Sequence, residues 1–228
     1  MRTLVAFLAL GLLLPAAGMA ADGQPKKALT KQDQASARSI VVKLSDLGQS
    51  FTAVAREKDE SLPKGARCGP LDESDLTVSG DAASPDFRFA QQGAFVTVGS
   101  TAQVYRTLRE ANASWSRGTT RQTTTCLADI VRLSASPGQK VTVQSAARVR
   151  FPSLSPKTTA YRLVLTVEMG GQKVRAYVDA VLLQHGRIQA GILFTSLGQP
   201  VDQAQRVALA SVVAARMAKA TRPSGPIA

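Results

Sequence analysis

Residue types that carry metal and acid-base chemistry are scarce in this sequence. The 228-residue chain has one histidine and two cysteines, too few for a zinc site with four Cys or His ligands in a monomer. The histidine, His185, is expected at the exposed tip of a hairpin, which disfavours a Ser-His or Cys-His catalytic centre. The motifs of serine hydrolases, P-loop NTPases, dinucleotide-binding enzymes and zinc proteases are all missing. We therefore expect no metal, no cofactor and no catalytic residue. A hydrolase that uses an unrecognised pair of carboxylates stays open as an alternative.

Negative charge is also in short supply. Asp and Glu number 16 against 28 Lys and Arg, which gives a formal net charge of +12, while charged residues make up only 19% of the chain. So low a charged fraction excludes a disordered polyelectrolyte. The 44% of hydrophobic residues is enough to form one buried core at this length. The chain has no block of five or six like charges, the pattern that would indicate a specific nucleic-acid partner. The excess positive charge favours weak association with an anionic cell-envelope surface.

The first twenty residues have the pattern of a secretory signal peptide. Arg2 precedes the apolar run 4–14, and Pro15 and small residues up to Ala20 follow. A run of about eleven apolar residues is shorter than the roughly 20 that span a bilayer. We expect cleavage after Ala20 and a secreted or otherwise extracytoplasmic product without a transmembrane segment; the alternative is an uncleaved signal anchor. The predicted organisation is a signal peptide over 1–20, a flexible N-terminus over 21–29, a single α+β domain over 30–220 and a flexible tail over 221–228.

The two cysteines of this small extracytoplasmic domain predict a disulfide. Cys68 and Cys126 would close a loop of about 59 residues, for which the chain-entropy model gives about 4 kcal/mol of stabilisation. The competing interpretation is a redox-active thiol, which would favour a C-x-x-C spacing. The wide spacing favours a structural bridge between a loop and a helix.

The hydrophobic periodicity predicts an α+β domain, in which an antiparallel β-sheet flanked by helices ends in a three-stranded meander and a C-terminal helix. Helices are predicted to begin after Thr30 and at Ser100 or Thr101, and to occupy 125–133 and 201–220. Strands are predicted over 50–55, 87–89, 94–98, 141–151, 159–169, 172–183 and 187–195, with an irregular acidic region over 72–86.

The dipeptide Gly170–Gly171 predicts the register of the first hairpin of the meander. A two-residue primed turn there pairs Arg162 with Asp179 and Glu168 with Lys173. Two pairs of opposite charge directly across the strands support this register. The alternating apolar residues of both strands then share the opposite face, which we predict to be the core face.

The second hairpin of the meander is expected to have a three-residue loop, 184–186. That odd loop length would place Ile188 and Phe194 on the same face as Val178 and Ala180. We accordingly predict a left-handed glycine at the last loop position, as in a G1 bulge.

The first face of the meander mixes charged and apolar residues and gives the candidate ligand site. Arg162, Arg175, Tyr177 and Asp179 lie on it in the predicted register. The alternative is that this face is ordinary surface, open to solvent or covered by a helix.

Several features together resemble secreted proteins of actinobacterial type. They are the signal peptide, the single cysteine pair, the segment from Ser100 through Tyr105 to Trp115, the dipeptide Cys126–Leu127 and the terminal meander with its helix. The chain is also similar to the extracellular sensor-domain family of the PknH kinase and its small lipoprotein relatives. That resemblance implies a PsbP-like sandwich and a sensing role. The chain departs from the family in having no kinase domain, no lipidation cysteine and one disulfide.

These expectations favour a secreted, non-enzymatic binding or sensor-like domain for a small anionic or amphipathic ligand. The alternative function is a basic adaptor at the envelope surface that binds anionic polymer or lipid through distributed charge. Sensitivity to salt would favour the second function.

Overall fold

The computed structural model describes residues 23–56, 65–66, 68–91, 94–135 and 138–221. The predicted signal peptide and residues 222–228 of the predicted tail lie outside these ranges. Within them, no helix is both long and apolar enough to cross a membrane.

Four α-helices and nine strands make up the described part of the chain. The helices are α1 (Lys31–Ile40), α2 (Leu108–Gly118), α3 (Gln122–Leu133) and α4 (Gln203–Ala220). The strands are β1 (Lys26–Lys27), β2 (Thr52–Val54), β3 (Thr77–Ala83), β4 (Asp86–Gln91), β5 (Ala94–Tyr105), β6 (Lys140–Val149), β7 (Lys157–Met169), β8 (Gln172–His185) and β9 (Ile188–Leu197).

All nine strands belong to one sheet. The main order is β1-β3-β5-β9-β8-β7-β6, and β4 pairs with both β5 and β2. Every pairing is antiparallel except that of β1 with β3. The long strand β5 pairs first with β4 and then with β3 along one edge, and with β9 along the other. The predicted class is thus confirmed: an antiparallel sheet with flanking helices, the meander β7-β8-β9 and a C-terminal helix.

The predicted register of β7 and β8 is confirmed. Arg162 lies opposite Asp179 and Glu168 lies opposite Lys173. Gly170 and Gly171 both have positive φ, at 57° and 79°, as a primed two-residue turn requires. The opposite face of the two strands is buried through most of its length, where its residues include Leu163, Leu165, Val167, Ala176 and Val178.

The predicted loop between β8 and β9 is wrong. Two residues, 186–187, connect the strands, so His185 pairs with Ile188 and Phe194 lies opposite Asp179. Gly186 does have a positive φ, and His185 is half-buried at the end of β8 rather than exposed at a loop tip. The odd loop was predicted on the assumption that the meander buries one face. Helices cover both faces, so the apolar side chains of β9 are buried on the face that carries Asp179.

The predicted start of α2 is also wrong. Strand β5 continues through Ser100 and Thr101 to Tyr105, because β9 pairs with it over this length. The helix begins beyond Thr107, whose hydroxyl accepts a hydrogen bond from the backbone N–H of Glu110. The Glu110 carboxylate accepts in return from the backbone N–H of Thr107. This capping box fixes the helix start.

Two segments of the N-terminal third are more regular than predicted. Strand β3 lies inside the acidic region that was expected to be irregular. Lys26 and Lys27, in the predicted flexible N-terminus, form β1, because the backbone N–H groups of Lys26 and Ala28 donate to the carbonyls of Leu76 and Val78. The first helix begins directly after Thr30, as predicted, and ends at Ile40.

The sheet has helices on both faces. We call these the α1/α4 face and the α2/α3 face after the helices that cover them. The core on the α1/α4 face includes the helix residues Ala37, Ile40, Leu209, Ala210, Val213, Ala214 and Met217. The core on the α2/α3 face includes Leu71, Ile130, Val131, Val141, Leu163 and Leu165. Because successive side chains of a strand point to opposite faces, Val181 of β8 packs on the α1/α4 face and Val178 on the α2/α3 face.

The disulfide between Cys68 and Cys126 is present. Both cysteines are buried and belong to the core of the α2/α3 face. Cys126 lies in α3, and Cys68 directly precedes the 3₁₀ turn Gly69–Leu71. The bridge therefore attaches α3 to the segment that leads into β3.

We expect removal of the disulfide to destabilise the fold strongly. The double variant Cys68→Ala/Cys126→Ala should lose about 4 kcal/mol of unfolding free energy, because the separation of 58 residues leaves a large loop unconstrained in the unfolded chain. Urea unfolding of the variant and of the oxidised wild type measures the difference. A loss below about 1 kcal/mol would contradict a structural role.

Candidate functional site

A cavity of about 90 Å³ lies between the α2/α3 face of the sheet and the helices α2 and α3. Its apolar walls include Leu71, Trp115, Leu127, Leu182 and Leu193. Carboxyl, carboxamide and hydroxyl groups from several strands and both helices also reach it. An apolar cleft with a few convergent polar groups is the usual form of a small-molecule site.

Gly191 of β9 leaves the floor of the cavity open. It lines the cavity, and a Cβ atom built on it would lie 3.4 Å from Oγ1 of Thr101 and 3.5 Å from Cδ2 of Leu182. These are ordinary contact distances, so a small side chain would fit here and occupy the free space. The space depends on the missing side chain at this position.

A hydrogen-bonded cluster forms the polar end of the cavity. The hydroxyl of Tyr105 donates to Oε2 of Glu73 at 3.0 Å and lies 2.8 Å from Oγ of Ser114. Ser114 donates to Oε1 of Gln189 at 3.2 Å, and Nε2 of Gln189 donates to the carbonyl of Ala111 at 2.6 Å. Because that carbonyl can only accept, the amide of Gln189 has one allowed orientation. The cluster holds these polar groups in fixed positions.

Burial makes the carboxyl group of Glu73 a weaker acid. Loss of hydration raises its pKa, although the hydrogen bonds from Ser114 and Tyr105 and the charge of Arg117 act in the opposite direction. Burial also raises the pKa of Tyr105 well above its ordinary value, and the nearby charge of Glu73 adds to this. The cavity thus holds an acid that is neutral to a higher pH than an exposed glutamate.

Tyr161 of β7 has a buried hydroxyl without a well-formed hydrogen bond, and the residue lines the cavity. The residue is 2% exposed, and among the described residues its hydroxyl makes no hydrogen bond of full geometry. Burial raises the pKa of Tyr161 and outweighs the hydroxyls of Thr159 and Thr123, which lie close enough to lower that pKa, as does the charge of Arg148. A buried hydroxyl whose hydrogen bonding is incomplete costs free energy, so it can form a better hydrogen bond with a ligand.

Trp115 combines a structural and a lining role. Its side chain is half-buried and lines the cavity. The Nζ atom of Lys157 lies 6.0 Å from the centre of its ring and donates to Oδ1 of Asn112 at 2.6 Å. This cation–π contact helps to hold the indole at the cavity wall.

Two of the sequence-predicted site residues meet on the opposite face. Arg162 donates to both carboxylate oxygens of Asp179 at 2.7 and 3.1 Å, and Arg206 of α4 donates to one of them at 3.1 Å. Burial and the charge of Arg162 lower the pKa of Arg206, while Asp179 opposes this. The carboxylate of Asp179 is buried and engaged by two guanidinium groups.

The other two predicted site residues lie further along β8. Arg175 and Tyr177 share the face of Asp179, because side chains alternate along a strand. Arg175 is exposed and Tyr177 is half-buried. The structure joins Arg162 and Asp179 in an ion pair and leaves Arg175 at the surface, and their role in ligand binding stays a prediction.

The cavity residues were missed by sequence reasoning. The polar groups of Glu73, Tyr105, Ser114, Tyr161 and Gln189 come from separate parts of the chain, and no local motif joins them. One sequence signal pointed to the place: a glycine inside the apolar strand 188–194, since an interior strand glycine often marks the close approach of a ligand or another backbone.

No family model matches the chain, and no curated protein matches it. Among solved structures, it is similar to LpqN, described as involved in cell envelope biogenesis of Mycobacterium tuberculosis. That match has 8% identity and a TM-score of 0.32 over 77% of this chain and 86% of the other. Human STARD10 matches at 10% identity and a TM-score of 0.12 over 76% of this chain and 82% of the other. Likenesses at these TM-scores assign neither a fold family nor a function.

No group of three or more His, Cys, Asp or Glu residues that could hold a metal ion occurs in the described ranges.

We expect Glu73→Gln to change how stability depends on pH. A raised carboxyl pKa in the folded state stabilises the fold below the ordinary value of 4.5 and loses this contribution as pH rises through the folded-state pKa. The variant should therefore melt at a higher temperature than wild type near neutral pH, and the advantage should vanish in acid. Melting curves across this pH range measure it, with the half-exposed Glu168→Gln as control. A pH-independent difference would argue against the raised pKa.

We expect the two cavity tyrosines to respond differently to loss of the hydroxyl. Tyr161→Phe removes a buried hydroxyl that makes no hydrogen bond of full geometry among the described residues, and should leave the unfolding free energy unchanged or raise it by up to about 1 kcal/mol. Tyr105→Phe breaks the cluster around Glu73 and should cost about 1–3 kcal/mol. Urea unfolding of both variants compares them. An equal loss in both would show that the Tyr161 hydroxyl has a structural partner.

Proposed function

We propose that this protein is a non-enzymatic extracytoplasmic binding domain that holds the apolar part of a small amphipathic ligand in the cavity under α2 and α3. The observation that carries the proposal is the cavity itself: it has apolar walls and an ordered polar cluster, and Tyr161, whose buried hydroxyl makes no hydrogen bond of full geometry among the described residues, lines it.

The size of the cavity limits the ligand. Because a group the size of a water molecule takes about 30 Å³ when packed, the volume of about 90 Å³ takes about three such groups. A short alkyl chain or the end of a longer one matches this space. The polar cluster at Glu73 and the hydroxyl of Tyr161 would pair with any polar atom that the ligand brings.

The chemistry of the lining supports binding over hydrolysis. Glycoside hydrolysis uses a pair of carboxyl groups, whereas the described lining residues include one carboxylate, that of Glu73. His185 does not line the cavity, so no imidazole base stands beside Ser114 or the threonine hydroxyls.

The extracytoplasmic location rests on two features. The N-terminal sequence pattern is typical of a secretory signal peptide. A disulfide between buried cysteines is typical of proteins in oxidising compartments.

The test is the binding of 1-alcohols of increasing length, followed by the fluorescence of Trp115, which is the one tryptophan of the chain. Affinity should rise about fourfold for each added methylene, since each buried CH₂ contributes about 0.8 kcal/mol, and level off once about three or four carbons fill the space. Gly191→Ala and Gly191→Val should weaken 1-hexanol binding progressively, by at least about tenfold for valine.

The matched control is Gly48→Ala, because a Cβ atom at Gly48 meets nothing within 4 Å. It should bind 1-hexanol as the wild type does. Wild-type affinity in Gly191→Val, or no chain-length dependence, would contradict the proposal.

A further inference from the structure

A surface groove of about 350 Å³ lies at the end of β6 and the start of β7. Arg148, Arg150, Thr158 and Thr159 are among the residues that line it. Arg148 and Arg150 lie within three residues of each other at the end of β6, the edge strand of the sheet.

Neither arginine forms an ion pair within the part of the chain that the structure describes. Within the described ranges, neither Arg148 nor Arg150 has a carboxylate within 4.0 Å, whereas Arg117, Arg162 and Arg216 each form an ion pair. Arg148 and Arg150 are also exposed. Their guanidinium groups therefore carry uncompensated positive charge at the groove.

Two buried hydroxyls of β7 lie close to the groove. Among the described residues, Oγ1 of Thr159 and the hydroxyl of Tyr161 make no hydrogen bond of full geometry, and the two residues are 3% and 2% exposed. Although burial raises the pKa of Tyr161, the Thr159 hydroxyl lies close enough to Tyr161 to lower it. They are two positions apart in β7, so their side chains lie on the same face. Thr159 lines the groove and Tyr161 lines the cavity, which places the two spaces next to each other along one strand.

The strand register connects the arginines to this pair of hydroxyls. Arg148 lies directly opposite Tyr161 in the pairing of β6 with β7. Residues directly opposite in an antiparallel pair have neighbouring side chains on the same face. The charge of Arg148 accordingly favours the ionised form of Tyr161.

We propose that Arg148, Arg150 and the hydroxyls of Thr159 and Tyr161 form a subsite for the anionic headgroup of the ligand, a carboxylate or phosphate whose apolar chain enters the adjacent cavity. The assignment rests on the proposed function and specifies its ligand as an anionic amphiphile. Guanidinium and hydroxyl groups donate hydrogen bonds to anionic oxygens, and the same arginines repel a cationic headgroup.

The experiment compares hexanoate, 1-hexanol and acetate at neutral pH on the full mature chain, followed by NMR shifts of backbone amides. Hexanoate should bind about tenfold more tightly than 1-hexanol, since a hydrogen bond to a charged group contributes about 1.5 kcal/mol or more. In Arg148→Gln/Arg150→Gln, hexanoate should lose this tenfold advantage while 1-hexanol binds as before. Acetate should bind far more weakly than hexanoate, because it lacks the chain.

The matched control is Lys31→Gln/Arg38→Gln on α1, which removes the same charge from exposed positions on the other face. An equal loss of hexanoate affinity in both double variants would overturn the subsite in favour of distributed surface charge. Equal affinity of hexanoate and 1-hexanol, or acetate as tight as hexanoate, would also overturn it. Failure of both hexyl compounds to bind the wild type would instead overturn the proposed cavity function, so the two failures are distinguishable.

Discussion

The pairing of β7 with β8 through the Gly170–Gly171 turn determines what each face of the sheet presents. With Arg162 opposite Asp179, the α1/α4 face receives the ion pair, and the α2/α3 face receives Tyr161 and the leucines that pack under α3. A shift of one residue would exchange the two sets. It would bury the arginine under α3 and remove the tyrosine from the cavity. Both the core and the candidate site therefore depend on one two-residue turn.

The two faces use this register in different ways. On the α1/α4 face, Asp179 is the shared acceptor of Arg162 and Arg206, which lets a guanidinium of α4 be buried against the sheet with its charge partly compensated. On the α2/α3 face, the disulfide attaches α3, and Gly191 supplies no side chain between the strand and the helices. On the α1/α4 face, the charged groups of β7, β8 and α4 satisfy one another. On the α2/α3 face, an apolar space with polar groups at its edge is preformed for a ligand.

Local sequence signals were sufficient for several elements of the fold. A glycine pair between two alternating strands fixed one register, two cysteines gave the disulfide, and the apolar spacing of 201–220 gave α4. The prediction of the β8–β9 loop was wrong because it assumed that only one face of the sheet is buried. An even loop places the apolar residues of β9 on the α1/α4 face, and they are buried there only because α1 and α4 cover it. The hairpin sequence itself does not show that these helices are present. The start of α2 was misplaced for a similar reason. Ser100 is a good helix cap locally, but pairing with β9 keeps it in a strand.

The candidate site was less predictable than the fold. The mixed face of β7 and β8 drew attention to Arg162 and Asp179, and the helix that buries their ion pair lies more than twenty residues further along the chain. The cavity joins Glu73 and Gln189 to the neighbouring residues Tyr105 and Ser114, and only the complete topology brings these three parts of the chain together. The sequence alone does not show that Gly191 and Arg148 belong to a site. Their roles depend on their strand partners, which are Leu182 and Thr101 for Gly191 and Tyr161 for Arg148.

The most direct test of the central claim is to locate a bound amphiphile in the protein. Intermolecular nuclear Overhauser effects from hexanoate should join its terminal methyl group to the side chains of Leu182, Leu193 and Trp115, which line the cavity. The methylene next to its carboxylate should give contacts to Tyr161 and Arg148. Contacts confined to exposed side chains on the α1/α4 face, with none to the cavity leucines, would contradict the cavity as the binding site.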